Sequence, residues 1–411
     1  MITFSDNIAR KPYLGSTEIA QAWLGNILVY PDKNEYYDQY LTFDILENGN
    51  IGFTMSTNTL QYSVDDGTTW STANPDTNIP VSNGDKVFVK FTNPVLYKEN
   101  NTFTTTNGVC KFYTDCSFNV YGNIMSLIYG DDFNDNQKMS ILPVMQDNYG
   151  NTVNMNHFIN LFFGCNKLIS AENLVLPATI LKDECYGGMF QNCTSLTTAP
   201  KILPAASITA YSYSHMFYGC TSLTTAPVLS GTVMGTGCYQ NMFEGCTSLV
   251  TPPELPAKSL AIDCYDHMFY GCTKLNTTPS VLPATTLAES CYRYMFGGCT
   301  NLTTAPASLP ATTLVKSCYS CMFYQCSKLV TAPVLPARIL MNSCYSSMFY
   351  HCTRLNYIKA LFTTTPNSTY TSSWVNGVAS SGTFVKYTSA TWSVSGENGS
   401  PRGWTIERAS S

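Results

Sequence analysis

Charge is scarce in this chain. Asp, Glu, Lys and Arg make up 12% of the 411 residues, against roughly 25% in an ordinary globular protein. Solubility must therefore rest on Thr, Ser, Asn and Tyr, an uncharged polar surface that suits glycan contact or a fibre. No run of Lys and Arg occurs and the net charge is −5. Binding to nucleic acid needs a basic stripe, so that role is excluded. No apolar run follows Arg10 and Lys11, so neither a secretory signal nor a membrane span is expected and the product is made in the cytoplasm. Histidine is rare as well. His157, His215, His267 and His351 fall at different places in different copies of the repeat described next. Neither a zinc site nor a Cys/His nucleophile pair is expected, and no cofactor is implied.

What the chain has in abundance is one phrase: Tyr, two variable residues, Met-Phe, a variable residue, usually Gly, then Cys, Thr or Ser, and Leu. It is clearest at Tyr239, Met242, Phe243, Cys246 and Leu249. The closing Cys recurs at Cys165, Cys193, Cys220, Cys246, Cys272, Cys299, Cys326 and Cys352, spacings of 26 to 28 residues. A unit of that size cannot bury its own apolar side, so eight copies predict eight stacked coils of a solenoid. On a helical wheel started at Cys238, the residues Tyr239, Met242, Phe243 and Cys246 share one arc, which predicts a short amphipathic helix in each coil. The Leu-Thr-Thr-Ala-Pro runs at 223–227 and 302–306 predict a very short strand ended by proline. Leu-Pro-Ala-Thr-Thr-Leu, at 282–287 and 309–314, then leads the chain back to the next helix.

Seventeen cysteines invite a disulfide reading, which their placement weakens. Eight form the column above and six more form another: Cys185, Cys238, Cys264, Cys291, Cys318 and Cys344. Within one helical unit the two columns lie eight residues apart, roughly 12 Å, beyond disulfide reach. Both columns read as small buried hydrophobes. Cys321 sits at a variable position, and a bridge between Cys110 and Cys116 stays open.

The phrase Phe-x-Gly-Cys-Thr-Ser-Leu at 217–223 and 243–249 resembles the BspA-type leucine-rich repeat, in a longer form carrying Cys-Tyr-x-x-Met-Phe. The resemblance implies an elongated right-handed stack used for surface recognition rather than for a chemistry. The fold class expected is an α/β leucine-rich-repeat solenoid over 141–361, with short strands and one short helix per coil. Departures occur at His157 and Phe158, at Ser212, and at Ser230 and Gly231. The first copy, with its long 169–175 connection, reads as a cap.

Three further regions flank the coils. Residues 1–33 hold a tandem echo, Tyr13-Leu14-Gly15 and Trp23-Leu24-Gly25, which predicts two Gly-centred hairpins. This arm resembles the N-terminal attachment segment of many phage virion and tail-associated proteins. Residues 34–140 read as a small β-sandwich, with strands at 40–46, 51–55, 60–64, 86–91 and 116–121 and Asn-Gly or Asp-Gly turns between several of them. Ser63, Asp65, Gly67, Thr69 and Trp70 resemble the Asp-box of sialidases, a hairpin staple in which Ser and Asp bond the turn and Trp packs beneath. A sialidase also needs an arginine cluster. The arginines are Arg10, Arg293, Arg338, Arg354, Arg402 and Arg408, none of them in this region. The run from Asp132 to Asn136 has the alternate oxygens of a calcium loop but lacks its Gly and closing Glu, and a solvated linker is expected there. The segment 362–411 carries Trp374, Trp392 and Trp404 and reads as a β cap over the solenoid's open end.

Recognition is expected on the variable positions. Tyr218, Tyr270, Tyr294, Tyr324 and Tyr350, with His215 and His267, would form an aromatic ladder able to stack on sugar rings or dock a protein. The function expected is that of a non-enzymatic appendage, resembling head or tail fibres of crAss-like phages of Bacteroidales-type bacteria. Tyr13, Leu14, Trp23 and Leu24 would attach it to capsid or tail proteins of the virion. The coils would contact a host-surface glycan or protein, with a homotrimer as a candidate assembly. The alternative is a BspA-like adhesin of the bacterial surface.

Overall fold

The computed structural model describes residues 36–54, 60–91, 110–133 and 157–410, with Leu142 and the backbone of short strands at 2–4, 12–14, 17–18, 22–24, 27–30, 145–146 and 152–153. Residues 157–378 wind as stacked coils, but the expected helix is absent from all eight coils that carry the phrase, and within this span a four-residue helix occurs only after them, at Ser368–Thr371. The Tyr-x-x-Met-Phe segment is a staircase of tight turns in which every fourth residue takes a left-handed conformation. In the third coil these residues are Tyr211, His215 and Gly219, with φ of 53°, 57° and 70°. The N–H groups of Tyr211, Tyr213, His215, Phe217 and Gly219 donate to carbonyls of the next coil at 2.8–3.0 Å, whereas those of Ser214, Met216, Tyr218 and Cys220 donate three residues back. Alternate amides therefore tie the coil to its neighbour and close its own turns. From Tyr213 to Cys220 every backbone N–H has such an acceptor, as a buried segment requires.

The staircase sends side chains in and out in pairs, with a period of four. Inward pairs are Cys-Tyr and Met-Phe. The 3.6-residue helix drifts by only about 40° over such a repeat, so nine residues fit either geometry. Left-handed backbone tells them apart, because it favours Gly and Asn. Gly188, Asn192, Gly237, Asn241, Gly245, Gly271 and Gly298 occupy those positions.

The expected strands are reduced. Most shrink to single parallel bridges, such as Ser170 to Thr198, Thr198 to Thr225 and Thr225 to Thr251. Ile202–Leu203 pairs in parallel with Val228–Leu229. The prolines that follow carry no N–H and stop the ladder.

The dry interior consists of continuous columns. Phe162, Phe190, Phe217, Phe243, Phe269, Phe296, Phe323 and Phe349 stack at 5.3–5.8 Å between centroids. Tyr186 through Tyr345 stack beside them at 5.6–6.0 Å. All seventeen cysteines are buried and unpaired. From Cys193 to Cys352 the closing cysteines each donate an S–H to the Phe carbonyl of the preceding coil at 3.0–3.1 Å. A small apolar group with one weak donor suits that spot.

The Tyr column carries a cost. The hydroxyls of Tyr186, Tyr213, Tyr239, Tyr265 and Tyr319 are buried without a hydrogen-bond partner in the protein, and an unsatisfied hydroxyl costs about 1–3 kcal/mol. Tyr265→Phe is therefore expected to raise the midpoint of urea unfolding. A lowered midpoint would show that the hydroxyl is satisfied through solvent.

Both ends of the stack are covered. On the N-terminal side a sheet runs in the order Leu168–Ser170, Phe118–Asn123, Leu41–Ile45, Lys86–Phe91, Leu60–Ser63, Ser71–Ala73. Phe118–Asn123 pairs in parallel with the first coil at Leu168–Ser170 and Leu174–Val175. A second sheet, Ile79–Val81, Gly49–Thr54, Lys111–Thr114, meets the first through Phe53, Phe112 and Phe43. Phe112 stacks on Phe162 at 5.7 Å, and its carbonyl accepts the Cys165 S–H at 3.2 Å. Thus Phe112 imitates the Phe of a preceding coil. The Ser63 hydroxyl accepts from Gly67 N–H, and Asp65 accepts from Thr69 N–H and Oγ1, with Trp70 lying under Lys90 Nζ at 3.9 Å. The Thr69 hydroxyl first, then the Ser63 hydroxyl, which donates to Asp65 Oδ1 at 2.7 Å, and the Thr69 N–H lower the pKa of the Asp65 carboxyl to about 2.

On the C-terminal side the repeat does not stop at Leu355. Residues 370–378 form a ninth staircase: Tyr345, Ser347, Phe349 and His351 donate to the carbonyls of Tyr370, Ser372, Trp374 and Asn376. Left-handed backbone recurs at Ser373 and Gly377. Trp374 stands in the Met column, which is why a reading keyed to Met and Cys loses it. Tyr357–Ala360, Thr383–Tyr387 and Thr405–Ala409 then form a parallel sheet. Trp374, Trp392 and Trp404 are buried, and each indole N–H reaches a backbone carbonyl at 2.7–3.1 Å.

At the start of the chain, Pro12–Leu14 pairs with Thr17–Glu18 and Ala22–Leu24 with Ile27–Tyr30. The side chains of Tyr13, Leu14, Trp23 and Leu24 lie outside the described residues. So does most of the run from Asp132 to Asn136. No helix among the described residues is long and apolar enough to cross a membrane.

Candidate functional site

Outward pairs of the staircase form a stripe along the coils. The structure brings five of the seven expected aromatics into one contiguous row. His267 stacks on Tyr294 at 4.6 Å, Tyr270 meets Tyr294 edge-on at 5.8 Å, Tyr294 meets Tyr324 at 5.7 Å, and Tyr324 stacks on Tyr350 at 5.0 Å. His351 extends the row by stacking on Tyr350 at 4.3 Å. His351 is not among the residues that the sequence assigns to the ladder. His215 and Tyr218 touch each other but stand apart, because the next coil places Asn241 and Glu244 at their positions. His215 and His267 do share a column, contrary to the expectation that the histidines match nowhere. Both occupy left-handed positions, with φ of 57° and 54°.

Two features that the sequence pattern does not display hold the row in place. The first is Gly297. A Cβ there would lie 2.8 Å from the Tyr270 ring and 3.2 Å from that of Tyr294, so only glycine lets these two rings close over the sixth coil. The second is Asp266, buried to 1% exposure. Its carboxylate accepts from Gln240 Nε2 at 3.1 Å, His267 Nδ1 at 2.8 Å, and Arg293 Nε and Nη2 at 3.0 and 2.8 Å. Burial alone would raise its pKa, but the bonds from His267 and Arg293 outweigh that and hold it below the usual carboxylate range. Asp266 thereby fixes the His267 ring against Tyr294. Burial, and then a bond to Cys321, push the Tyr294 phenol up, so it stays neutral and able to donate.

The row offers surfaces for contact. Asp266, the one buried carboxylate among the described residues, is fully engaged by its neighbours, and the column thiols are pushed up by burial, Cys185 and Cys291 to about 12, so they are not thiolates at neutral pH. Among the described residues no group of three or more His, Cys, Asp or Glu is placed to hold a metal ion. Half-buried rings held at fixed spacing on a rigid stack offer flat apolar faces with hydroxyls at their rims. The signal for these positions is the column logic: every fourth residue tolerates His, Asn or Gly, and it is followed by an inward residue such as Met216 or Met268.

Comparison with known proteins bears on the repeat alone. A family model described as BspA type leucine rich repeat region matches in six copies over residues 159–276 and 265–375, more than half of the chain. No curated protein and no solved structure matches it. With the coil period, the inward Tyr, Met, Phe, Cys and Leu columns and this match in hand, the chain belongs to the BspA-type leucine-rich-repeat family.

Proposed function

We propose that this chain is a non-enzymatic recognition protein that binds a host surface through the aromatic row on its coils and is carried on a phage particle by its N-terminal arm. The observation that supports binding is the contiguity of His267, Tyr270, Tyr294, Tyr324, Tyr350 and His351 on adjacent coils. Rings so held lose little freedom on engaging a partner, and aromatic anchors dominate interface energetics. The arm's resemblance to virion attachment segments supports carriage on a particle. The BspA-type repeats also support a surface adhesin of a bacterium, and that is the second reading.

Two measurements test the proposal. Mass spectrometry of purified particles is expected to find the chain, whereas its release by surface shaving of bacteria, with none in particles, would replace the appendage by the adhesin. Tyr324→Ala with Tyr350→Ala is expected to weaken binding of the full chain to host cells by more than about tenfold with the unfolding midpoint little changed. Unaltered cell binding would remove the row from the recognition surface.

A further inference from the structure

The seven-stranded sheet at the N-terminal end carries a second concave feature, separated from the aromatic row by the second to fourth coils. It is a pocket of about 580 Å³ between the sheet's outer face and the first coil. Strand alternation builds it. Phe43, Val87, Phe118 and Val120 point into the core at 0–1% exposure, so Asp44, Lys86, Asn119 and Tyr121 face outward. Asp44 lies in register between Lys86 on one neighbouring strand and Asn119 on the other, and Asn119 Nδ2 donates to its Oδ2 at 3.1 Å. Tyr36 leans edge-on against Tyr121, with centroids 5.3 Å apart. Glu172 of the first coil forms another part of the wall.

The lining selects by chemistry. Its charges are two carboxylates, Asp44 and Glu172, and one lysine, Lys86; Lys201, outside the lining, reaches Glu172 at 3.7 Å. A phosphate or a carboxylate-bearing ligand finds no surplus of positive charge. An apolar ligand would strip water from Asp44 and Asn119 without replacing their bonds, which is costly. Burial, with the nearby Asp44 adding to it, pushes the Tyr121 phenol up to about 12, which keeps it a neutral donor. Amides and carboxylates converge beside two tyrosine rings, and the volume lies within the roughly 300–1,000 Å³ of small-ligand sites. We infer that this pocket binds a neutral saccharide, its hydroxyls shared between Asp44, Asn119 and Glu172 and one ring face covered by the Tyr36 and Tyr121 pair. The site is independent of the aromatic row and stands or falls apart from it.

The test is ligand-observed NMR and calorimetry on the full chain. The probes are methyl glycosides of glucose, galactose, mannose and N-acetylglucosamine and their β-linked disaccharides, with inorganic phosphate and N-acetylneuraminic acid as anionic probes. At least one neutral probe is expected to bind saturably, and Asp44→Asn and Tyr121→Phe each to weaken it by about tenfold, as loss of one bond to a charged or buried group does. These near-isosteric changes leave the outer face of the sheet intact, and an unchanged unfolding midpoint verifies it. Tyr324→Ala with Tyr350→Ala is expected to leave this affinity unaltered. Binding by none of the neutral probes, preference for either anion, or affinity lost only with the row's variants would overturn the assignment.

Discussion

Replacing Phe243 with alanine is expected to lower the free energy of unfolding by roughly 3–5 kcal/mol, the range for a fully buried aromatic. The side chain is 0% exposed and stacks on Phe217 and Phe269 at 5.5 Å on both sides. Its carbonyl also accepts the Cys272 S–H at 3.0 Å, so a backbone shift to fill the hole would strain the neighbouring coil. In a stack whose coils touch only their neighbours, stability is a sum of coil and interface contributions. The loss therefore falls on two interfaces in mid-stack. Urea unfolding followed by fluorescence is expected to change from one transition to two, the weakened middle releasing each half separately. A single transition with its midpoint moved by less than an equivalent of about 1 kcal/mol would contradict columns that act as the core.

Gly122→Val is expected to act at the N-terminal end. Gly122 has φ of +86°, which valine adopts only with strain. An added Cβ would also run into the Tyr40 carbonyl. Gly122 N–H donates to Asn173 of the first coil at 3.2 Å, and the following Asn123 N–H donates to Gln39 at 2.8 Å, so the strained residue lies where the sheet joins the coils. The expected cost is roughly 2–4 kcal/mol. Hydrogen exchange is the sharper readout: protection is expected to fall in the first two coils and in Phe118–Asn123 while coils five to eight keep theirs. Uniform loss along the whole stack would mean that the sheet does not serve as a local cap.

Much of this was legible in advance, and the misreadings share a cause. The coil boundaries, the buried cysteine columns and the inward Tyr, Met and Phe positions follow from a phrase recurring every 26 to 28 residues. The helix was misassigned because Cys-Tyr-x-x-Met-Phe-x-x-Cys is too short to separate a period of four from one of 3.6. The glycines and asparagines at every fourth place held the answer. Tyr270, Tyr294, Tyr324 and Tyr350 were identified as outward residues from the same columns. Their contact with one another depends on the missing side chain of Gly297 and on Asp266 fixing His267. Both sit at positions that look merely variable when each coil is read alone.

From its residues alone the chain determined that it would stack, with what period, and which side chains of the repeated phrase would be dry, because a short periodic unit can bury its apolar half only against copies of itself. Tertiary structure alone decided what closes the ends and which outward rings meet. Phe112 stands in for a coil that does not exist, and Trp374 carries the repeat past the point where its signature residues vanish. Such matches are made between segments distant in sequence and unlike in local structure, and a side chain enters a column by its place in space rather than by its place in a motif.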